Sequence, residues 1–262
     1  MRETADVERY AAPRYASQMS TDQQLSEVET PPSHFQRGAI GDAASHVRLW
    51  SIAVLGLAAD LWSKDWAIRN LKPGDAKVII PNLCSLRVSL NPGALFGIGA
   101  GLAPIFVGAS VLALMFVLYL FAHSTANRRS LHIALGLVLA GAIGNLYDRT
   151  TQSAFVIHFG NSAREIGTLV RETESTYTLG DYPDGRHPRT YARSAVISAG
   201  IEPVVRDFVS IEAKIGTHSL WPWIFNIADA LLVIGVGMLL INFWSDRHGH
   251  SHPAEPGSEA IA

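Results

Sequence analysis

The stretch that decides the fold is "WPWIFNIADALLVIGVGMLLINFW", Trp221 to Trp244. It carries one charged residue, Asp229. An apolar run of about 20 residues is long enough to cross a bilayer as a helix. An ionisable group inside such a run is expensive and marks a functional position. At about 1.5 Å per residue, Asp229 is expected roughly 12 Å along a helix that starts at Trp221. The remaining sequence has to supply its partners.

Three other segments have comparable character. They are "LWSIAVLGLAADLWSKDWAI" (Leu49–Ile68), "LAPIFVGASVLALMFVLYLFA" (Leu102–Ala122) and "LHIALGLVLAGAIGNLYD" (Leu131–Asp148). Of the 262 residues 48% are hydrophobic and 17% charged, a low charged share for a soluble domain. The expectation is a mainly α membrane protein: four transmembrane helices, a small extra-cytoplasmic β region and an inserted extra-cytoplasmic loop. Residues 1–45 read as a disordered cytoplasmic tail, 46–245 as the membrane domain with 150–203 as the insertion, and 246–262 as a second tail. Arg128 and Arg129 in the short second loop, with Arg48 and Arg247, place both termini in the cytoplasm. Lys72, Lys77 and Arg87 in the first outer loop run against that rule.

Composition excludes several classes. A formal net charge of −2 is poorly suited to a nucleic-acid surface. The single cysteine, Cys84, excludes an intrachain disulfide and a thiolate metal cluster. The alternating His248, His250 and His252 read as a solvated tail. No HExxH or GxSxG signature is present. No cofactor or metal is expected.

The unusual polar residues gather at one end of this hairpin map. "NPGALFG" (Asn91–Gly97) precedes the second span, and "GAIGNLYDR" (Gly141–Arg149) closes the third. "VVRDFVSI" (Val204–Ile211) lies shortly before the fourth, and "FNIAD" (Phe225–Asp229) lies in its first half, with Asp229 about a third of the way in. Asp207 and Asp229 come from separate segments that can meet near the membrane surface. Two close carboxylates in a partly dry site cannot both ionise cheaply, so one pKa rises and the pair shares a proton. One member then activates water and the other polarises a carbonyl, the chemistry of an aspartyl protease. Asp60 and Lys64, four apart on one helix face, read as an internal ion pair, and Asp148 with Arg149 as an interface anchor. Gly136, Ala140 and Gly144 are spaced for close helix packing.

"NPGALFG", "GAIGNLYDR", "RDF" and "FNIAD" together, in this order, resemble the motif set of the lipoprotein signal peptidases, or signal peptidases II. The resemblance runs from about Asp60 to about Asn242, interrupted by one insertion. It implies a bacterial membrane aspartyl endopeptidase that removes signal peptides from diacylglyceryl-modified prolipoproteins, cutting before the lipidated cysteine. The catalytic pair would be Asp207 and Asp229. Asn91, Asn145, Arg149 and Asn226 would line the site and hold substrate. Asp148 would support Arg149, and Asp60 and Lys64 would be structural. The family's inhibitor globomycin would occupy the same site. The setting implied is the bacterial inner membrane, multi-pass, with the site near the extra-cytoplasmic face, membrane lipids as neighbours and a monomer as the default.

Two positions depart from the family pattern. Arg206 stands where an apolar residue is usual, and either lowers the pKa of Asp207 or points to lipid headgroups. Segment 150–203 replaces a short link. Its "YPDG" signals a turn, and "SAFVIHFG" and "YARSAVISAG" can pair as strands, but loose surface elaboration is the expectation. The rival function is a proton-coupled transporter or channel using Asp60, Lys64 and Asp229. A noncatalytic assembly protein would not need two convergent aspartates. A Ser63–Lys64 dyad is disfavoured because adjacent helical residues point apart.

Overall fold

The computed structural model of the chain describes residues 37–71, 74–93, 103–160 and 163–249. Most of both predicted tails, residues 94–97 of "NPGALFG", and His250 and His252 lie outside the described residues. Four long helices form the frame: α1 (Ala43–Asn70), α2 (Ala103–Ala122), α3 (Arg129–Thr151) and α4 (Ile227–Gly249). α1 starts where Asp42 accepts a hydrogen bond from the backbone N–H of Ser45 at 2.8 Å. α3 is the central helix, contacting the other three. Leu49 and Ala53 of α1, Val117 and Phe121 of α2, Leu135 and Leu139 of α3 and Leu239 of α4 make one core.

Close approach to α3 depends on its missing side chains. A Cβ at Gly141 would fall 2.4 Å from the carbonyl oxygen of Ala228, and one at Gly144 would fall 2.4 Å from Oδ2 of Asp60. The small-residue stripe on α3 therefore brings α1 and α4 into contact with the same helix.

Strands occupy far more of the chain than the sequence reading allowed. β1 (Lys77–Ile80), β2 (Cys84–Asn91), β8 (Val205–Ile211) and β11 (Ile224–Phe225) form an antiparallel sheet in the order β1-β2-β8-β11. Segment 150–203 folds as β3 (Ser153–Phe159), β4 (Arg164–Glu172), β5 (Thr176–Asp181), β6 (Arg186–Ala192) and β7 (Val196–Pro203). These five strands make a second antiparallel sheet, ordered β6-β5-β4-β3-β7. β9 (Lys214–Ile215) and β10 (His218–Ser219) pair as a small hairpin. The expected pairing of the segment's two flanks is present as β3 on β7, with Ser153 opposite Pro203. Loose elaboration is incorrect: Phe155, Ile157 and Leu179 give the inserted sheet its own buried cluster.

The expectation of a mainly α protein with four membrane-crossing helices is overturned. About half of the described residues are helical and about a third are in three sheets. Among the described residues, two helices are long and apolar enough to cross a membrane: Arg129–Thr151, mean hydropathy 1.5, and Ile227–Arg247, mean hydropathy 2.0. Charged Asp60, Lys64, Asp65 and Arg69 dilute α1, and the apolar part of α2 is the shorter Val107–Ala122. The helices still show large apolar side chains on their outer faces, including Trp62 and Ile241, each 70% exposed. Contiguous apolar faces of this kind mark a surface covered by something other than water.

Candidate active site

Asp229 lies in the first turn of α4, not a third of the way along a span. Residues Trp221–Phe225 are not helical. Pro222 removes a backbone donor, and Ile224 and Phe225 pair with Ser210 and Val209 of β8. The helix starts at a reciprocal cap. Asn226 Oδ1 accepts from the Asp229 N–H at 3.0 Å, and Asp229 Oδ2 accepts from the Asn226 N–H at 3.3 Å. "FNIAD" is thus a capping-box arrangement, with Asn and Asp in place of the commoner Ser/Thr and Glu/Gln. It sets the Asp229 carboxylate at the mouth of a helix rather than within it.

Asp207 sits in the middle of β8, 4% exposed. On β2 its cross-strand partner is Ser89, and Asn91 is opposite Val205. The register between the two strands shifts between Leu86↔Val209 and Ser89↔Asp207. Arg87 and Val88 therefore oppose the single residue Phe208. Such a bulge reverses the alternation of one strand. It turns Ser89 and Asn91 onto the face of Asp207, and Asn91 Nδ2 donates to Asp207 Oδ2 at 3.3 Å.

Asn226 and Asn145 join the two carboxylates. Asn226 Nδ2 donates to Asp207 Oδ1 at 2.7 Å and to Asn145 Oδ1 at 3.2 Å. Asn145 Nδ2 donates to Asp229 Oδ1 at 2.8 Å. All four oxygens of the aspartate pair thus accept a hydrogen bond from an amide group. Burial, then the charge of Asp229, push the pKa of Asp207 up to about 8 against the opposing pull of Asn226, Asn91 and Lys64. A raised pKa on one member is what the sequence led us to expect.

Behind this pair lies a buried ionic layer. Lys64 and Asp60 have fully buried side chains and pair at 2.7 Å, as their spacing predicted. Lys64 Nζ also lies 3.3 Å from Asp148 Oδ2 and donates to Asn145 Oδ1 at 3.3 Å. With Oδ1 engaged by Lys64 and Asn226, the amide of Asn145 is turned so that its Nδ2 faces Asp229. Asp60 Oδ1 accepts from the Ala228 N–H at 2.8 Å, binding α1 to the start of α4.

Arg206 points to neither of its expected targets. Successive side chains alternate across a strand, so Arg206 faces away from Asp207. It meets Asp148 at 2.7 Å and Asp65 at 2.6 Å, and is 6% exposed. Its backbone N–H also donates to Asp148 Oδ2 at 3.0 Å. Asp148 is held by Arg206 and Lys64, and its charge also acts on Arg149. Arg149, half-buried at the end of α3, stands in the field of Asp229, Asp207 and Asp148. Asp65 was missed from the sequence. Its signal was a second acid one residue beyond Lys64 in an apolar run. Among the described residues no group of three or more His, Cys, Asp or Glu side chains could hold a metal ion.

The arrangement is one of two carboxyl groups, one buried and one half-buried, with amide donors on every oxygen. Known proteins share its frame. A solved bacterial membrane enzyme matches with a TM-score of 0.54 at 22% identity, covering 84% of this chain and 98% of that one. A second scores 0.51 at 23% identity, covering 80% and 97%. This chain shares the fold of those two enzymes. At the level of sequence, the family model described as signal peptidase (SPase) II matches residues 52–245. The lipoprotein signal peptidase of Rhodopirellula baltica is 31% identical over 240 residues, covering 88% of each chain. That of Syntrophotalea carbinolica is 28% identical over 202 residues, covering 76% of this chain and 92% of its own. The chain belongs to the signal peptidase II family.

Proposed function

We propose that this chain is a membrane aspartyl endopeptidase that removes signal peptides from diacylglyceryl-modified prolipoproteins, with Asp207 and Asp229 as its catalytic pair. The observation that carries the assignment is the joint hydrogen bonding of both carboxylates through Asn226 and Asn145. Water between them loses a proton to the ionised carboxylate as its oxygen adds to the scissile carbonyl carbon. The proton held on the other carboxyl passes to the carbonyl oxygen. Collapse of the tetrahedral intermediate breaks the C–N bond, with a proton delivered to the leaving nitrogen. The pair shares one proton throughout, and its apparent pKa values belong to the pair.

Asn91, Asn145, Asn226 and Arg149 supply donors for substrate carbonyls that lose water on entry. α3 and α4 cross the bacterial inner membrane. The end of α3 and the start of α4 meet at the site, while Arg128, near the start of α3, pairs with Asp246 near the end of α4 at 2.5 Å. The positive residues favour that second end for the cytoplasm, leaving the site near the extra-cytoplasmic face. The acyl chains of the substrate then stay in the bilayer, and a monomer suffices. A proton-coupled transporter is disfavoured by the family, and Lys64 is held between Asp60 and Asp148.

The test is release of signal peptide from a diacylglyceryl prolipoprotein by the purified protein. Asp207→Asn and Asp229→Asn should each abolish release while remaining folded. Normal cleavage by either variant overturns the pair. A parent protein that does not cleave but carries protons across liposomes would instead establish the transporter.

A further inference from the structure

A polar cavity of about 560 Å³ lies beside the β1-β2-β8-β11 sheet and plays no part in the chemistry above. Arg87, Ser210, Glu212, Lys214 and Trp221 line it. By strand alternation Ser210 faces away from Asp207, so the cavity belongs to the opposite face of β8. Arg87 is in the β2 bulge, a feature that commonly re-aims a side chain. Among the described residues neither the Arg87 nor the Lys214 side chain has an ionic or hydrogen-bond partner. Glu212 receives Ser85 Oγ on Oε1 only, leaving its other oxygen open to a donor.

Two lining residues, Asn82 and Trp221, have exposed apolar neighbours along the chain. Trp221 and Trp223, each 41% exposed, meet edge to face at 5.3 Å. Ile79, Ile80 and Leu83 of the β1–β2 hairpin are about half exposed. Tryptophan beside exposed aliphatic side chains is the composition of a protein surface at the headgroup level of a bilayer. Two unpaired cations and one half-occupied carboxylate in the cavity define a specific ligand chemistry.

We propose that this cavity seats the zwitterionic phosphoethanolamine headgroup of a membrane phospholipid. Its phosphate binds Arg87 and Lys214. Its ammonium binds Glu212, with the Trp221 ring available as a cation–π surface. A purely anionic headgroup would satisfy Arg87 and Lys214 but bring no ammonium to Glu212. The inference rests on the chain being a membrane enzyme and not on the Asp207–Asp229 assignment.

Calorimetric titration of the full-length protein in detergent micelles tests it. The probes are dihexanoyl phosphatidylethanolamine, dihexanoyl phosphatidylglycerol and water-soluble O-phosphoethanolamine. The ethanolamine lipid should bind tightest, by roughly fivefold over the glycerol lipid, the size of one charge contact. Lys214→Gln, at an exposed position, should weaken binding of both lipids several-fold. Glu212→Gln should erase or invert the preference between them. Unfolding temperatures confirm that each variant is folded. Equal binding of both lipids by the parent, or indifference to Lys214→Gln, overturns the proposal. Equal binding of O-phosphoethanolamine and its lipid would make this a site for a free phosphoester and overturns the lipid assignment.

Discussion

Asp207 and Arg206 are adjacent in sequence and opposite in role, because β8 sends one to each side. Arg206 is spent on Asp148 and Asp65, which leaves Asp207 buried beside Asp229 with its proton retained to about pH 8. Two predictions follow at this scale. Asp207→Asn and Asp229→Asn should each lower kcat by more than about a thousandfold, as expected for groups that act as a unit, measured by signal-peptide release. The second concerns pH. Below the ordinary aspartate value of 3.8, Asp207 is protonated in both folded and unfolded chains. Between there and about 8 only the unfolded chain ionises, so stability is full at low pH and falls as pH rises through that window. The unfolding temperature in detergent should carry this downward slope, and Asp207→Asn should flatten it. Cleavage by the parent should also fall above about pH 8, where Asp207 loses its proton.

Short structural devices, rather than long elements, bring the site together. The reciprocal cap of Asn226 and Asp229 starts α4 and aims both side chains. Asn226→Ser keeps a good capping residue but removes the bridge to Asp207. It should lower kcat by about tenfold, the value of one hydrogen bond of about 1.4 kcal/mol, while the helical signal in circular dichroism stays unchanged. Gly144 shows the other constraint. A methyl group there must displace the Asp60 carboxylate, so Gly144→Ala should cost about 1–3 kcal/mol through overpacking, read as a lower unfolding temperature. The β2 bulge belongs with these devices, since without its extra residue Asn91 would face away from Asp207.

Across the whole molecule, the inserted sheet is joined to the helical frame at a narrow neck. Ser153 and Pro203 are cross-strand partners, so its two ends leave and return side by side. Tyr182 reaches from the turn after β5 to Gln152 at the end of α3, with a hydrogen bond of 2.8 Å. The Val204 N–H donates to the Gln152 carbonyl at 3.1 Å, just before β8 begins. Replacing residues 155–201 with a two-residue turn removes Tyr182 but should leave the Ser153–Pro203 pairing and the Val204–Gln152 hydrogen bond in place. The trimmed chain should stay folded and cleave within about tenfold of the parent, as expected of an insertion at a surface loop. A loss as large as that of Asp207→Asn would instead make the sheet part of the catalytic frame.

The sequence by itself determined the identities of the polar residues, their order along the chain, the four helical segments and the Asp60–Lys64 pair. Each is a matter of local composition or of spacing within one element, where periodicity has direct physical meaning. It also contained the pairing of the insertion's flanks, since alternation and β-branched residues mark strands. Only the tertiary structure decided where α4 begins, because Trp221–Phe225 is apolar enough for a helix and is drawn into extended pairing by β8. Only it decided which way Arg206 points and that Asn91 shares a face with Asp207, because a single-residue bulge changes both strands' relation without a mark in either sequence. Long-range contacts between residues 91, 145, 207 and 226 arise from packing of separate elements, and no local pattern encodes a partner more than one element away.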